Sequence, residues 1–442
     1  MFENIIEQGA VLQLRDDILS RRLAPSMLFF GPPESGKGSA ALELARFLSC
    51  EGDASWKCSC PACESHRYLQ HSDLLMLGTR SFQAEITACC SVFLRNPSSM
   101  SAKILFTRSL RKLQLRFSAV LMEDDPKLGK VSSVLQSLEE GLSELWVTDT
   151  EAIGKAALEK LCGSLIKDAL ALAGGLSVNI PIGHIRRAAY WCRLAPNGKH
   201  KTLLIENAED MRDEACNSLL KLLEEPPDTV TIILTSRRRE AIMPTILSRL
   251  RPYRFLKRSA ESEKEVLRRV FQDSAGEKPH AAGSSLISAY LDSFLELGTE
   301  KMYPLAAWFV ASLARIAALS LKRNKITVPR IINTMGERYA PIADAAGFDR
   351  SVKPQIIVKT LIGESNNFED DSFSRFLGLC LDMVSAVMRE MDDPRFIAYN
   401  DMFKKYTGEA ETAVEVLNQS ASLALEALIH KLKTAMIRGQ YG

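Results

Sequence analysis

Met27-Leu-Phe-Phe-Gly-Pro-Pro-Glu-Ser-Gly-Lys-Gly-Ser39 is the stretch on which the reading of this chain turns. Its apolar start, Met27 to Phe30, predicts a buried strand. A glycine-rich turn follows, and Ala40 to Leu48 predicts a helix. Strand, loop and helix in that order frame a phosphate-binding loop. Gly31 and Gly36 bracket four residues, and Lys37 follows. Glycines let backbone N–H groups turn inward around phosphate oxygens. A helix N-terminus adds unpaired donors and the positive end of its dipole, and a lysine reaches the outer phosphates. One position departs from the motif. A Ser or Thr hydroxyl after the lysine holds Mg²⁺, but here that residue is Gly38, and the hydroxyl comes one residue late, at Ser39. One residue turns a side chain by about 100° around a helix, so Ser39 is no simple replacement. The alternative is an incidental Gly-Pro turn before a helix.

Upstream, residues 4–22 carry helical spacing in Ile5, Val11, Leu12, Leu14, Ile18 and Leu19, and Pro25 ends the segment. Downstream stand Cys50, Cys58, Cys60 and Cys63, spaced Cys-x7-Cys-x-Cys-x2-Cys. Four thiolates in one short loop suit tetrahedral Zn²⁺, which would tie down a stretch with few apolar residues. The single residue between Cys58 and Cys60 is tighter than the usual two, and free thiols in a reduced loop are the alternative. His71 to Met76 begins like a strand. From about 80 to 178 there is no nucleotide-binding motif, and helical spacing runs through 132–145 and 153–172. Between Arg95 and Met122 lie Arg95, Lys103, Arg108, Arg111, Lys112 and Arg116, with no acid among them. Two readings fit this stretch: a DNA-facing or partner-binding arm, or the solvated basic face of an amphipathic helix.

Ile180 to Arg193 predicts a helix, and Pro196-Asn-Gly198 a turn. Leu203 to Ile205 is the centre of a second buried strand, with Glu206 at its end, where an acid holds Mg²⁺ in phosphate-transferring sites of this kind. An Asp-Glu pair is usual there, the Glu orienting the attacking water. This chain has Glu206-Asn207, and an amide does not take a proton from water. Asp213 to Leu223 predicts an amphipathic helix ended by Glu224-Glu-Pro-Pro227. Thr229 to Leu234 predicts a third strand, with Thr235 and Ser236 at its end. Arg237-Arg-Arg239 is a basic turn, and Pro244-Thr-Ile-Leu-Ser-Arg-Leu250 holds Arg249. After Leu256 strand-like runs largely vanish and helical periodicity dominates to Gly442.

The chain has 442 residues, 46% hydrophobic and 25% charged, enough for two or three domains with their own cores. A net charge of +2 makes no demand for nucleic acid, so any basic surface is local. The start, Met1-Phe-Glu-Asn-Ile-Ile-Glu7, has neither a basic nor an apolar leader region, so no signal peptide is expected. Ten cysteines with one tight group favour a reducing cytoplasm and a metal site over a disulfide framework. The longest apolar stretch, Met302 to Leu321, carries Pro304 and Arg315 and reads as a buried helix rather than a membrane span.

Taken together these motifs resemble the bacterial DNA polymerase III clamp loader, within the AAA+ superfamily. The resemblance covers residues 1–78 and 180–256. Its most specific piece is Asn217-Ser-Leu-Leu-Lys-Leu-Leu-Glu-Glu-Pro-Pro227, and Ser248-Arg249-Leu250 is similar to the family's Ser-Arg-Cys motif with the cysteine replaced. The four cysteines resemble the family's zinc module with one residue missing from the second gap. Residues 80–178 look like an insertion. The resemblance implies an α/β AAA+ module with a parallel sheet at 1–256, a helical lid at about 257–310 and a helical collar at about 311–442. Gly31, Gly36, Lys37, Gly38, Ser39, Glu206 and Thr235 would line the nucleotide site, with ATP and Mg²⁺ as its ligands if binding is kept. Gly38 and Asn207 depart at two independent catalytic positions, which resembles the catalytically silent delta-prime kind of subunit rather than the motor. Arg249 would then reach ATP held by a neighbouring motor subunit. The implied partners are the motor and delta subunits, the sliding clamp within the assembly, and primer-template DNA through the complex; no membrane is implied. Three alternatives stand: an active motor subunit in which Ser39 and Glu206 rescue Mg²⁺, ATP binding without hydrolysis, and a non-replicative AAA+ interaction protein.

Overall fold

The structure, a computed structural model, describes residues 2–150, 152–177, 179–273, 285–295, 299–348, 356, 372–390, 395–415 and 419–438. It divides into two units, Met1–Leu295 and Glu296–Gly442. The expected lid and collar fall partly on residues outside those described.

The first unit is built on five strands: β1 (Ser26–Phe30), β2 (Leu74–Gly78), β3 (Lys201–Glu206), β4 (Val230–Ser236) and β5 (Arg251–Arg254). They form one sheet in the order β2-β3-β4-β1-β5, every neighbouring pair parallel. A parallel sheet covered on both faces needs strands apolar on both faces, and β1 to β4 are near-continuous apolar runs. Leu28, Leu75, Leu203, Ile205, Ile232 and Leu234 pack on one side with helices α9 (Ile182–Arg193) and α10 (Asp213–Glu224). Met27, Phe29, Met76, Leu204 and Ile233 pack on the other with α1 (Gly9–Leu19) and α2 (Lys37–Ser49). β5 was not foreseen from the sequence. Its Arg251-Pro-Tyr-Arg254 buries Tyr253 and exposes both arginines, and Pro252 is tolerated because the strand lies at the edge. Arg249 sits just before β5, following the short helix α11 (Pro244–Leu247).

Residues 80–178 form a helical layer: α4 (Gln83–Arg95), α5 (Met100–Gln114), α6 (Ala119–Met122), α7 (Leu128–Val147) and α8 (Lys155–Ala173). Phe82, Phe93, Phe106, Leu138 and Leu165 share one core with Leu267 of α12 (Ala260–Val270), Phe271 at its C-terminal cap, and Ile287 and Tyr290 of α13 (Leu286–Asp292). The stretch from 80 to 178 is therefore packed into the unit on the helices that follow the sheet. The basic run inside it is neither an extended arm nor a solvated face. Arg95 pairs with Asp273, Arg111 with Glu139, Lys112 with Glu85 and Arg116 with Glu206. Arg108 donates to the carbonyls of His66 and Arg67, and Lys103 lies over the Trp146 ring. The acids that the local sequence lacks arrive from other elements.

Among its described residues the second unit is helical: α14 (Thr299–Arg323), α15 (Arg330–Ala345), α16 (Ser372–Arg389), α17 (Arg395–Glu415) and α18 (Ala421–Arg438). By length and composition Lys301–Arg323 is apolar enough to cross a membrane, yet 67% of its apolar window is buried inside the protein. Trp308 stacks on Phe348 at 5.4 Å, and Phe309 meets Phe376 edge-on at 5.3 Å. The expected buried helix is thus the centre of this unit's core. Pro304 lies inside α14, near its N-terminal end.

Candidate functional site

The C-terminal ends of β1, β3 and β4 bring the loop, Glu206 and Thr235 to one edge of the sheet. Gly31 leaves β1 with φ +148°, and an added Cβ would lie 2.1 Å from the Phe255 carbonyl oxygen, so only glycine fits that crossing. Gly36 caps α2 with φ +93°. Arg258 braces the loop from behind, donating to the carbonyls of Ile6, Glu34 and Ser35. Lys37 folds into the loop, its Nζ donating to the Gly31 carbonyl at 2.6 Å and the Pro32 carbonyl at 2.5 Å. Burial lowers its ammonium to about 8. The strand–loop–helix frame therefore forms as the sequence predicts. Ser39 does not join it: it is exposed on α2, one position beyond the turn that faces β3.

Gly38 does face β3. A Cβ there would lie 3.0 Å from Glu206 Oε1 and 3.5 Å from Arg80 Nη1. Glu206 is buried, and both of its oxygens are taken. Oε1 accepts from Arg80 Nη1 at 3.3 Å, and Oε2 accepts from Arg116 Nη2. Arg80 also bonds Glu85 at 2.8 Å, and Lys112 completes Glu85. The two guanidinium groups each lie 5.3 Å from the Phe82 ring centre. Burial alone pushes the Glu206 carboxyl up, but Arg116 and then Arg80 more than reverse it, holding the group below the ordinary carboxylate range. Burial likewise opposes ionisation of Glu85, yet Lys112 and Arg80 bring it down to about 2. Sequence reasoning missed Arg80, Arg116, Glu85 and Lys112. The available signal was a basic run without acids, in a chain whose Glu206 had no named counter-ion.

Asn207 takes a left-handed conformation, φ +53°. Its amide donates to Thr79 Oγ1 at 3.4 Å, on the β2 side. Thr235, buried at the end of β4, accepts from the Asn207 backbone N–H at 3.4 Å. Arg249 stands apart, on the turn after α11. Its guanidinium donates to Thr245 O at 2.6 Å and to Ser248 Oγ at 3.1 Å, and it pairs with Glu224 at 2.6 Å. Its side chain keeps 32% exposure.

The four cysteines form a separate cluster. Cys50 ends α2, and Cys60 caps α3 (Pro61–Arg67), which carries Cys63. Their sulfurs lie within 4.8 Å of one another, with Cys50 Sγ 3.6 Å from Cys58 Sγ and 3.8 Å from Cys60 Sγ. Zn–S bonds of about 2.3 Å in a tetrahedron set sulfurs about 3.8 Å apart, so four thiolates here fit the ion despite the tight Cys58–Cys60 spacing. Backbone N–H groups of Gly52 and Cys63 point at Cys50 and Cys60 sulfurs, and Arg46 Nη1 at Cys63 Sγ, 2.9 Å away. Arg46 is itself held by Glu43 through two bonds of 2.7 and 2.9 Å. Donors of this kind offset the excess negative charge of a four-thiolate centre.

The sequence matches the DNA polymerase III, delta subunit, family over residues 6–139 and 143–259, more than half of the chain. That span runs through most of 80–178. Among solved structures, a DNA polymerase III gamma subunit-related protein from Thermotoga maritima is 16% identical, with a TM-score of 0.26, covering 59% of this chain and 81% of its own. No curated protein matches.

Proposed function

The chain belongs to the DNA polymerase III, delta subunit, family, and on that premise we propose that it is a clamp-loader subunit of the delta-prime kind. It acts as a largely non-hydrolysing AAA+ stator, supplies Arg249 in trans to ATP on a neighbouring motor subunit, and helps place the sliding clamp on primed DNA. One observation carries the reading. The three groups that would serve Mg²⁺ and water are engaged or missing, while a phosphate-matching guanidinium remains at the surface. Gly38 has no hydroxyl, each Glu206 oxygen is already engaged by an arginine, and Asn207 is turned toward Thr79. Arg249 is held only by exposed groups and a carbonyl. A motor subunit of the gamma kind needs the opposite pattern. In the assembly α12 and α13 serve as lid and the helices of the second unit as collar, since the expected break at about 310 falls inside α14 (Thr299–Arg323); the collar joins motor and delta subunits in the cytoplasm.

Zinc at Cys50, Cys58, Cys60 and Cys63 supplies a structural clip between α2 and α3. Metal analysis of the purified chain is expected to read one equivalent of zinc. In Cys63→Ser it is expected to read almost none, with stability reduced on the order of 4 kcal/mol, as fits loss of a metal clip. A wild-type reading far below one equivalent would remove the zinc assignment.

The test of the function itself is paired. The isolated chain is expected to show no ATP turnover above background, and to co-purify with motor and delta subunits. Turnover by the isolated chain would favour the motor reading. Failure to join the other subunits would favour a non-replicative interaction protein.

A further inference from the structure

The geometry points to a phosphate loop that is closed to magnesium, with two arginines from the α4–α5 helices standing in for the metal's charge. This rests on the reading of Gly31–Lys37 as a phosphate loop and gives a task to the segment from 80 to 178. Arg80 precedes α4 and Arg116 follows α5, so this layer delivers both guanidinium groups to Glu206. Arg80 sits against the first turn of α2, beside the position where a metal ligand at residue 38 would stand, and Arg116 holds Glu206 by its other oxygen.

Three observations support the exchange. First, the acid that ends β3 already holds one arginine on each oxygen, and Glu85 in turn is shared by Arg80 and Lys112. Arg80, Arg116 and Lys112 face Glu206 and Glu85 in this cluster, so an arriving Mg²⁺ would meet two guanidinium groups already on the carboxylate it needs. Second, the exchange is built into the core. The Arg116 side chain is 2% exposed, lies against Phe82, and leaves its Nε and Nη1 without hydrogen-bond partners. A buried guanidinium that spends so few donors on structure is retained for its charge. Third, the hydroxyl cannot simply be restored. A Cβ at residue 38 already comes within 3.0 Å of Glu206 Oε1, so Gly38→Thr would press on the ion pair before its hydroxyl reached a metal. Arg80, with 37% of its side chain exposed, and Lys37, once its Nζ lets go of the Gly31 and Pro32 carbonyls, are the cations that would meet a polyphosphate. A nucleotide entering the loop is therefore bound as the metal-free anion.

Mn²⁺ in place of Mg²⁺ provides the test, read by electron paramagnetic resonance on full-length, zinc-loaded chain with and without ATP. The expected result for wild type and for Gly38→Thr is a free-Mn²⁺ signal no lower than in protein-free buffer at the same Mn²⁺ and ATP, and an ATP affinity no lower when divalent metal is left out. Arg80→Met, which leaves Arg116 to hold Glu206, is expected to admit Mn²⁺. Stoichiometric Mn²⁺ binding by wild type that disappears in a folded Glu206→Gln chain would overturn the proposal. So would ATP binding that requires Mg²⁺. Neither result touches Arg249, whose role is read on the partner's ATP, so the two ideas fail separately.

Discussion

Replacing Arg249 by Ala is expected to cut ATP hydrolysis at the interface it serves by about 10³-fold or more, the range for a trans arginine acting on a transferring phosphoryl group. DNA- and clamp-stimulated turnover of the reconstituted loader is the measurement. Three features suit Arg249 to this task. Ile246 and Leu250 are buried on either side of it and fix the turn. The Thr245 carbonyl and the Ser248 hydroxyl orient one guanidinium nitrogen, Nη1. The other, Nη2, pairs with Glu224, a contact between side chains 32% and 48% exposed. An exposed pair of this sort contributes under about 1 kcal/mol, so exchanging the carboxylate for a phosphate oxygen costs little. Arg249→Lys is expected to recover only a small part of the loss, because an ammonium lacks the planar fork. Unchanged turnover with Arg249→Ala, together with hydrolysis by the isolated chain, would move the motor reading ahead.

The parts legible in the sequence are those whose physics is local. An apolar run between a turn and a glycine loop announces β1, and the chain behaves accordingly because the strand is buried on both faces. The same holds for β3 and β4. The cysteine cluster was legible for a similar reason: fourteen residues of chain, Cys50 to Cys63, carry all four sulfurs that come together. β5 was not, because four residues with a proline and two exposed arginines carry no strand pattern of their own. They pair only because β1 offers an edge. The basic run shows the same limit more sharply. Its charges looked unspent because their partners, Glu85, Glu139, Glu206 and Asp273, lie outside the run and meet it only through tertiary packing. The candidate site was therefore half legible. Gly38 and Asn207 told that catalytic groups were missing; what took their place required the helices of 80–178 to be laid against the sheet.

Arg116→Met is expected to lower the unfolding free energy of the first unit by about 3–5 kcal/mol, the cost of removing one partner from a buried ion pair. The side chains of Arg116 and Glu206 are 2% and 5% exposed, so the carboxylate left behind is desolvated, with only the partly exposed Arg80 to answer it. Denaturant unfolding read by tryptophan fluorescence in a Trp308→Phe background confines the signal to Trp56, Trp146 and Trp191, all in the first unit. Adding Glu206→Leu to Arg116→Met is expected to recover much of the loss, since the uncompensated charge goes with it. The pH dependence has a definite sign. Glu206 and Glu85 are both held below their ordinary value of 4.5 in the folded chain, Glu85 at about 2. Each contributes stability that is fully present above pH 4.5 and is lost as pH falls from there through its folded value. Wild type should therefore weaken progressively from pH 4.5 toward 2. In Arg116→Met the largest charge holding Glu206 down is gone, so Glu206's share of the acid limb shrinks, and the limb becomes shallower while its onset stays near pH 4.5. An Arg116→Met chain with unchanged stability and an unchanged acid limb would mean that Arg80 alone satisfies Glu206, and Arg116 would then lose its place in the site.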